Sequence, residues 1–98
     1  MTIEKITNGT ELTILLGGRL DTTTAPQLEK ELKSCLTGVT SLIFDIAGLE
    51  YVSSAGLRIL LTTQKTMSKQ GKMVVRHVNK SIAEVFRITG FAKVLTVE

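Results

Sequence analysis

Two apolar runs, residues 41–46 and 73–75, flank a segment with helical spacing, and this order constrains the fold more than any other feature of the chain. The first run is nearly all apolar, which is typical of a parallel strand that is covered on both faces. The segment between the runs ends at Gln70-Gly71 and repeats apolar residues at helical intervals, at Leu57, Leu60, Leu61 and Met67. A strand, a helix and a second strand in this order favour an α/β domain with a mostly parallel sheet.

The N-terminal residues predict a hairpin. Asn8-Gly9 supplies the two positive-φ positions of a tight turn, so residues 2–7 and 11–17 are expected to form antiparallel strands. Two glycines at positions 17–18 mark a bend or a close backbone approach at the end of the second strand. The sheet is therefore expected to begin with an antiparallel pair.

Two more helices and a last strand complete the predicted elements. Pro26 follows three threonines, which is a typical helix start, and leucines then recur every four residues up to Leu36. The third helix is expected to begin with a capping box of Ser81 and Glu84. Residues 94–97 form the last predicted strand.

The resulting order, β-β-α-β-α-β-α-β, predicts one α/β domain over residues 1–98, with a mixed, mostly parallel sheet, an antiparallel N-terminal hairpin and packed helices. A formal net charge of +3, with both signs interspersed, gives no basic stripe, so direct DNA binding is not expected. Cys35 is the only cysteine, so no internal disulfide can form, which fits the reducing cytoplasm. The cysteine and histidine sets of structural zinc sites are also missing, so no metal or other cofactor is expected. The apolar runs are far shorter than the roughly 20 residues of a membrane span, so no membrane-spanning segment is expected.

The sequence offers little for catalysis. His77 is the only histidine, and neither a Gly-x-Ser-x-Gly elbow nor a Gly-x4-Gly-Lys-Ser/Thr phosphate loop is present. We therefore expect a binding protein rather than an enzyme, with His77 and Cys35 as packing residues.

The loops after the parallel strands are the expected functional edge, because ligands of open α/β sheets bind beyond the carboxyl ends of the strands. These loops are residues 20–24, 46–56 and 78–81. Ser53-Ser54 lies between a strand and a helix start, where free amides and the helix dipole favour an anion. Two interpretations stay open: one serine caps the helix, or one serine accepts a phosphate that changes binding without unfolding the protein.

Four segments in the same order and spacing, residues 18–21, 42–45, 51–57 and 85–90, resemble the STAS domain of anti-sigma factor antagonists. The resemblance covers nearly the whole chain. It implies a partner-switching cycle, in which the unmodified antagonist binds an anti-sigma factor that is also a serine kinase and thereby frees a sigma factor. Phosphorylation by that kinase breaks the complex, and a serine phosphatase restores it.

The resemblance also implies roles for individual residues. Residues 54–56 match a Ser-Ala-Gly form of the family's phosphorylation loop, which places the acceptor at Ser54, with Ser53 as the second choice. Asp21 and Asp45 match acidic positions that flank this loop. The alternative is that these carboxylates cap threonine amides or meet solvent.

A partner surface follows from the resemblance and the predicted loops. Arg58 and Ile59 are expected to lie off the apolar face of the second helix, where a partner can touch them. The full predicted set is Asp21, Thr22, Thr23, Asp45, Ser53, Gly56, Arg58 and Ile59. A second hypothesis is a STAS interaction subunit of a lipid- or anion-transport or ligand-sensing assembly without a phosphorylation cycle. The chain length favours the first hypothesis, whereas Ala55, which stands where many family members have a hydroxyl residue, favours the second.

Overall fold

Four strands form one sheet and three helices pack against it in the computed structural model, which describes residues 1–98. The strands are β1 (Thr2–Asn8), β2 (Glu11–Leu20), β3 (Ser41–Val52) and β4 (Lys72–Arg76). The helices are α1 (Ala25–Cys35), α2 (Ser54–Gln70) and α3 (Lys80–Thr89), and a short 3₁₀ turn (Phe91–Lys93) follows α3. The spatial order is β1-β2-β3-β4, with β1 antiparallel to β2 and the other neighbours parallel. The predicted α/β class and the antiparallel N-terminal hairpin are confirmed.

The hairpin turn lies one residue further along the chain than predicted. Asn8 pairs with Glu11, so Gly9 and Thr10 are the two central residues. Gly9 has a φ of +64°, whereas Thr10 does not have a positive φ. This is the pattern of a type II′ turn, which needs glycine at the first central position. The prediction of Asn8-Gly9 as the central pair is therefore wrong by one position.

β2 and β3 both run further than predicted. β3 continues through the expected loop to Val52, and β2 continues past its glycine pair to Leu20. The register between the two strands shifts twice around the glycines, so the strands bend there instead of ending. Gly17 lies opposite Gly48, and a Cβ on Gly17 would come within 2.6 Å of Thr2 Oγ1. A Cβ on Gly48 would lie 3.4 Å from Gly17 Cα, so both alternatives predicted for the glycine pair, a bend and a close backbone approach, are present.

All three helices pack on one face of the sheet. Because β2, β3 and β4 lie in sequential order and right-handed crossovers join parallel strands, successive helices fall on the same side. Leu12, Phe44 and Val75, one from each parallel strand, are at most 3% exposed and belong to the single core that the helices share. Ile43 faces the other way, is 8% exposed and lies outside that core. No helix lies on that face, so the second covering layer expected for the central strand is missing, although Ile43 itself is buried.

α2 is the longest helix, with 17 residues, and ends at Gln70 as predicted. The end is fixed by a close approach, since a Cβ on Gly71 would lie 1.9 Å from the carbonyl oxygen of Thr40. Gln70 Nε2 also donates hydrogen bonds to the carbonyls of Leu36 and Val39, at 2.8 and 2.7 Å. No helix of the chain combines the length and the hydropathy needed to cross a bilayer.

α3 begins differently from the prediction. Asn79 is the N-cap, and its side chain accepts a hydrogen bond from the Ile82 amide at 2.9 Å. Ser81 lies inside the helix, and Glu84 forms an ion pair with Arg87. The predicted capping box is therefore wrong, because the helix starts before the serine.

The residues predicted as a last strand make only one bridge. Val97 pairs in parallel with Val75, beside the edge of β4. Before Val97 the chain forms the 3₁₀ turn that follows α3 and then buries the side chain of Leu95. It therefore reaches this edge of the sheet only at its last residues. The prediction of a regular strand over residues 94–97 is wrong.

Candidate functional site

The two adjacent serines at the start of α2 have different environments. Ser53 is the N-cap, and its hydroxyl accepts a hydrogen bond from the Gly56 amide at 3.2 Å. The Ser53 amide donates to the carbonyl of Leu20 at 2.8 Å, which ties the cap to the end of β2. Ser54 is the first residue of the helix and is exposed. Each of the two interpretations from the sequence therefore fits one serine. Ser53 caps the helix, and Ser54 is open to solvent, where a kinase could reach it.

Gly56 is buried beneath these serines. A Cβ at this position would lie 2.6 Å from Leu20 Cγ and 3.0 Å from Val52 Cγ2. The residue lets α2 pack closely on the ends of β2 and β3, which explains why glycine occupies it. Its predicted contact with a partner stays a prediction, with packing as the role that the geometry supports.

The loop between β2 and α1 is ordered by Asp21. Asp21 Oδ1 accepts hydrogen bonds from the Thr23 amide at 3.0 Å, the Thr23 hydroxyl at 2.7 Å and the Thr24 amide at 3.1 Å. The Thr24 hydroxyl donates to the carbonyl of Arg19 at 2.8 Å and makes no hydrogen bond with a helix amide. The hydroxyl of Thr23, followed by the amides of Thr24 and Thr23, lowers the pKa of Asp21. The carboxylate caps threonine amides, as the alternative interpretation expects, while Thr22 and Thr23 stay exposed.

Asp45 lies apart from this loop. In the register of the sheet it stands between Leu15 and Arg76, on the face that no helix covers. Its carboxylate contacts His77 Nδ1 at 3.0 Å and accepts a hydrogen bond from the Ala47 amide at 3.1 Å. Burial raises the pKa of Asp45, but the Ala47 amide, His77 and Arg76 lower it by more, so the net pKa is below the ordinary value. Of the two predicted carboxylates, only Asp21 belongs to the end of the fold where α2 begins.

A cleft separates the first turns of α1 and α2. Thr22 and Pro26 line one side, and Ala55, Arg58 and Ile59 line the other. Arg58 is exposed, as predicted. Ile59 is only 9% exposed and belongs to the core, so the prediction that it lies off the apolar face is wrong. The packing of α1 against α2 widens the buried face of α2 and covers this side chain.

One surface feature was not predicted. The Arg19 guanidinium lies 4.2 Å from the centroid of the Tyr51 ring, and its Nε lies 3.8 Å from Asp21 Oδ2. Tyr51 is 41% exposed. The pair exists because the register shift between β2 and β3 places Arg19 opposite Tyr51. Nothing in the sequence announces that shift beyond the glycines that permit it.

Comparison with known sequences defines the family of this chain. The STAS domain profile matches residues 2–98. The chain therefore belongs to the STAS domain family, which confirms the resemblance of its motifs.

Two curated relatives align over almost the whole chain. BtrV of Bordetella bronchiseptica, described as a candidate anti-sigma factor antagonist, is 34% identical over 99% of this chain and 84% of its own length. An anti-sigma-B factor antagonist of Staphylococcus epidermidis is 29% identical over 99% of this chain and 92% of its own length.

Solved structures give the same fold. The anti-sigma factor antagonist SpoIIAA in its unphosphorylated form has a TM-score of 0.83 and 17% identity, and the match covers 99% of this chain and 88% of that one. The phosphorylated form of the same Bacillus protein has a TM-score of 0.76, with 17% identity over 99% of this chain and 91% of that one.

Proposed function

We propose that this chain is a cytoplasmic anti-sigma factor antagonist, switched by phosphorylation of Ser54. In the unmodified state it binds an anti-sigma factor that has serine kinase activity, and a sigma factor is released. Phosphate on Ser54 ends this binding, and a serine phosphatase renews it. The chain acts by binding and is a substrate of these enzymes, not an enzyme itself.

The environment of Ser54 carries this proposal. Its hydroxyl is exposed at the first position of α2, while the neighbouring Ser53 hydroxyl is occupied by the Gly56 amide. A kinase needs a hydroxyl that it can reach and that the fold does not use. Ser54 meets both conditions, which favours it over the second choice, Ser53.

Charge at this position suits a reversible switch. A phosphoserine adds roughly −1.5 to −2 charges, and the first turn of a helix stabilises negative charge. Arg58 is exposed and lies four residues beyond Ser54, a spacing at which helical side chains are neighbours, so it can pair with a phosphate. The first turn of α2 contains no acidic residue that would repel the phosphate. We expect phosphorylation to leave the fold unchanged and to alter only the surface that a partner contacts.

The relatives support the same reading. BtrV and the staphylococcal protein carry names of anti-sigma factor antagonists, and SpoIIAA is described in both unphosphorylated and phosphorylated forms. We propose that the docking surface here comprises the exposed Thr22 and Thr23, the start of α2 and Arg58. The stacked Arg19 and Tyr51 extend this surface along the ends of β2 and β3.

Intact-mass measurement tests the modification. The purified chain is incubated with ATP and the histidine-kinase-like serine kinase encoded nearest to it. We expect one added phosphate, which Ser54→Ala abolishes. Ser53→Asn is the matched control, because asparagine also caps helices but cannot be phosphorylated. This variant should still gain one phosphate.

Three outcomes would contradict the proposal. An unchanged mass of the wild-type chain would favour a STAS subunit without a phosphorylation cycle. A phosphate on Ser54→Ala that Ser53→Asn loses would move the acceptor to Ser53. Ser54→Asp should keep the native circular dichroism and bind the kinase more weakly, and an unfolded Ser54→Asp protein would contradict the passive role of the fold.

A further inference from the structure

The face of the sheet opposite the helices is uncovered, and its side chains align in rows across the strands. We call it the open face. The middle row contains, from β1 to β4, Ile6, Thr13, Ile43 and Val74, which are paired in register from strand to strand. The rows on either side are Asn8, Glu11, Ser41 and Lys72, and Glu4, Leu15, Asp45 and Arg76.

The middle row is an apolar stripe with a polar border. Ile6 is 57% exposed, Thr13 and Val74 are half-buried, and Ile43 is 8% exposed, so the row is most open to solvent at its β1 end. The two flanking rows are mostly charged or polar. An apolar centre with a polar rim is the usual arrangement of an interface between proteins.

Charge is distributed unevenly across the open face. The β1–β2 side carries Glu4 and Glu11, whereas β4 carries Lys72 and Arg76. Two further acidic groups lie near β4 and already have partners within the chain. Asp45 contacts His77, and Glu98 accepts hydrogen bonds from Arg76 at 2.8 and 3.1 Å.

We infer that the open face binds a second copy of this chain, face to face, about a twofold axis that runs parallel to the strands between β2 and β3. Such a rotation exchanges the two edges of the sheet and keeps each row at its own height. It therefore sets the β1 edge of one subunit, which carries Glu4, against the β4 edge of the other, which carries Lys72 and the Arg76–Glu98 ion pair. A rotation about an axis across the strands would instead set like charges against each other.

The same axis matches the apolar stripe with itself. Ile6 meets Val74 of the partner subunit, and Thr13 meets Ile43 of the partner subunit. Glu4 meets Arg76 of the partner subunit, which gives two equivalent charge pairs at the border. Each contact occurs twice, as a twofold interface requires.

The size of the open face sets the strength of the association. Four strands spaced by about 4.8 Å and five residues rising about 3.4 Å each give a face of about 19 by 17 Å. Two such faces together bury roughly 650 Å², which is below the about 1,200 Å² at which standard specific interfaces begin, so the dimer is weak and depends on concentration. The helices lie on the opposite face, so Ser54 at the start of α2 stays accessible in the dimer.

Sedimentation equilibrium over a wide range of concentration tests the inference. The apparent mass should rise from 10.7 kDa toward twice that value as concentration increases. Ile6→Lys should abolish the rise, because it puts a charge into the apolar stripe. The fold should tolerate this change, since Ile6 is 57% exposed. Ile88→Lys is the matched control: Ile88 is 69% exposed on α3 and should leave the rise unchanged.

A charge-swap series makes the test specific for this geometry. Glu4→Arg and Arg76→Glu should each weaken the dimer at least tenfold, and the double variant should recover most of the loss. Within one subunit these residues lie on opposite edges of the sheet, so only a contact between subunits can produce recovery. Circular dichroism confirms that each variant is folded. A monomer at every concentration, a dimer insensitive to Ile6→Lys, or a folded double variant without recovery would overturn the inference.

Discussion

The Gly56 amide donates a hydrogen bond to the Ser53 hydroxyl at 3.2 Å, so the helix uses the first of two adjacent serines and leaves the second free. This division predicts unequal effects on stability. Ser53→Ala should lower the free energy of unfolding by about 1 kcal/mol, because the cap is lost. Ser54→Ala should change it by less than about 0.5 kcal/mol, since the exposed hydroxyl belongs to no such contact.

Urea denaturation of the two variants and the wild-type chain measures this difference. Ser53→Asn serves as the control, because it removes the hydroxyl and keeps an acceptor for the Gly56 amide. Its stability should stay close to that of the wild type. Equal losses for the two alanine variants would contradict the assignment of Ser53 as the cap.

The start of α3 gives a second pair of variants. Asn79 accepts from the Ile82 amide at 2.9 Å and donates from Nδ2 to the carbonyl of Leu49 at 2.8 Å. Asn79→Ala should therefore cost about 2 kcal/mol, because a cap and a bond to β3 are both lost. Ser81→Ala should cost less than about 0.5 kcal/mol, since Ser81 is exposed inside the helix. Thermal unfolding of the two variants distinguishes the observed cap from the one that the sequence predicts.

These caps illustrate what the sequence determines locally. Gly71 could be predicted as the end of α2, because the apolar spacing stops there and glycine marks the break. Ser81 with Glu84 matched the capping-box pattern just as clearly. The helix nevertheless begins earlier, at Asn79, whose side chain is bonded to the carbonyl of Leu49 in β3. That choice depends on a contact between distant parts of the chain, which local pattern does not contain.

The candidate site shows the same limit. The position of Ser54 at a strand-to-helix junction followed from residue order alone. The burial of Ile59 depends on how α1 crosses α2, and the stacking of Arg19 on Tyr51 depends on a register shift. The separation of Asp45 from this end likewise follows from the unexpected length of β3.

The Asp45 carboxylate predicts a dependence of stability on pH. Its pKa is below the ordinary value of 3.8, so its charged form is favoured by folding. The corresponding stability is present above that ordinary value and is lost as pH falls through the lower pKa of the folded protein. Asp45→Asn should be less stable at neutral pH and should lose less stability on acidification.

Chemical denaturation from neutral to acidic pH measures both parts of this prediction. The difference between wild type and Asp45→Asn should narrow as pH falls toward and below the ordinary carboxyl value. A difference that stays constant over the whole range would show that the two proteins differ by packing and not by this ionisation.

The backbone of His77 gives the last prediction. Its φ of +61° makes it the only non-glycine residue of the chain in the left-handed region, which costs about 1 kcal/mol for a residue with a Cβ. His77→Ala and His77→Gly both remove the contact with Asp45, so their comparison isolates the backbone. His77→Gly should be more stable than His77→Ala by about 1 kcal/mol.

At a residue with negative φ the order is reversed, because glycine loses more conformational entropy on folding. Lys65, exposed in the middle of α2, is the control position, where the alanine variant should be the more stable. The free energies of unfolding from urea titrations decide the order, and a His77→Ala protein as stable as His77→Gly would contradict the strain assigned to this residue.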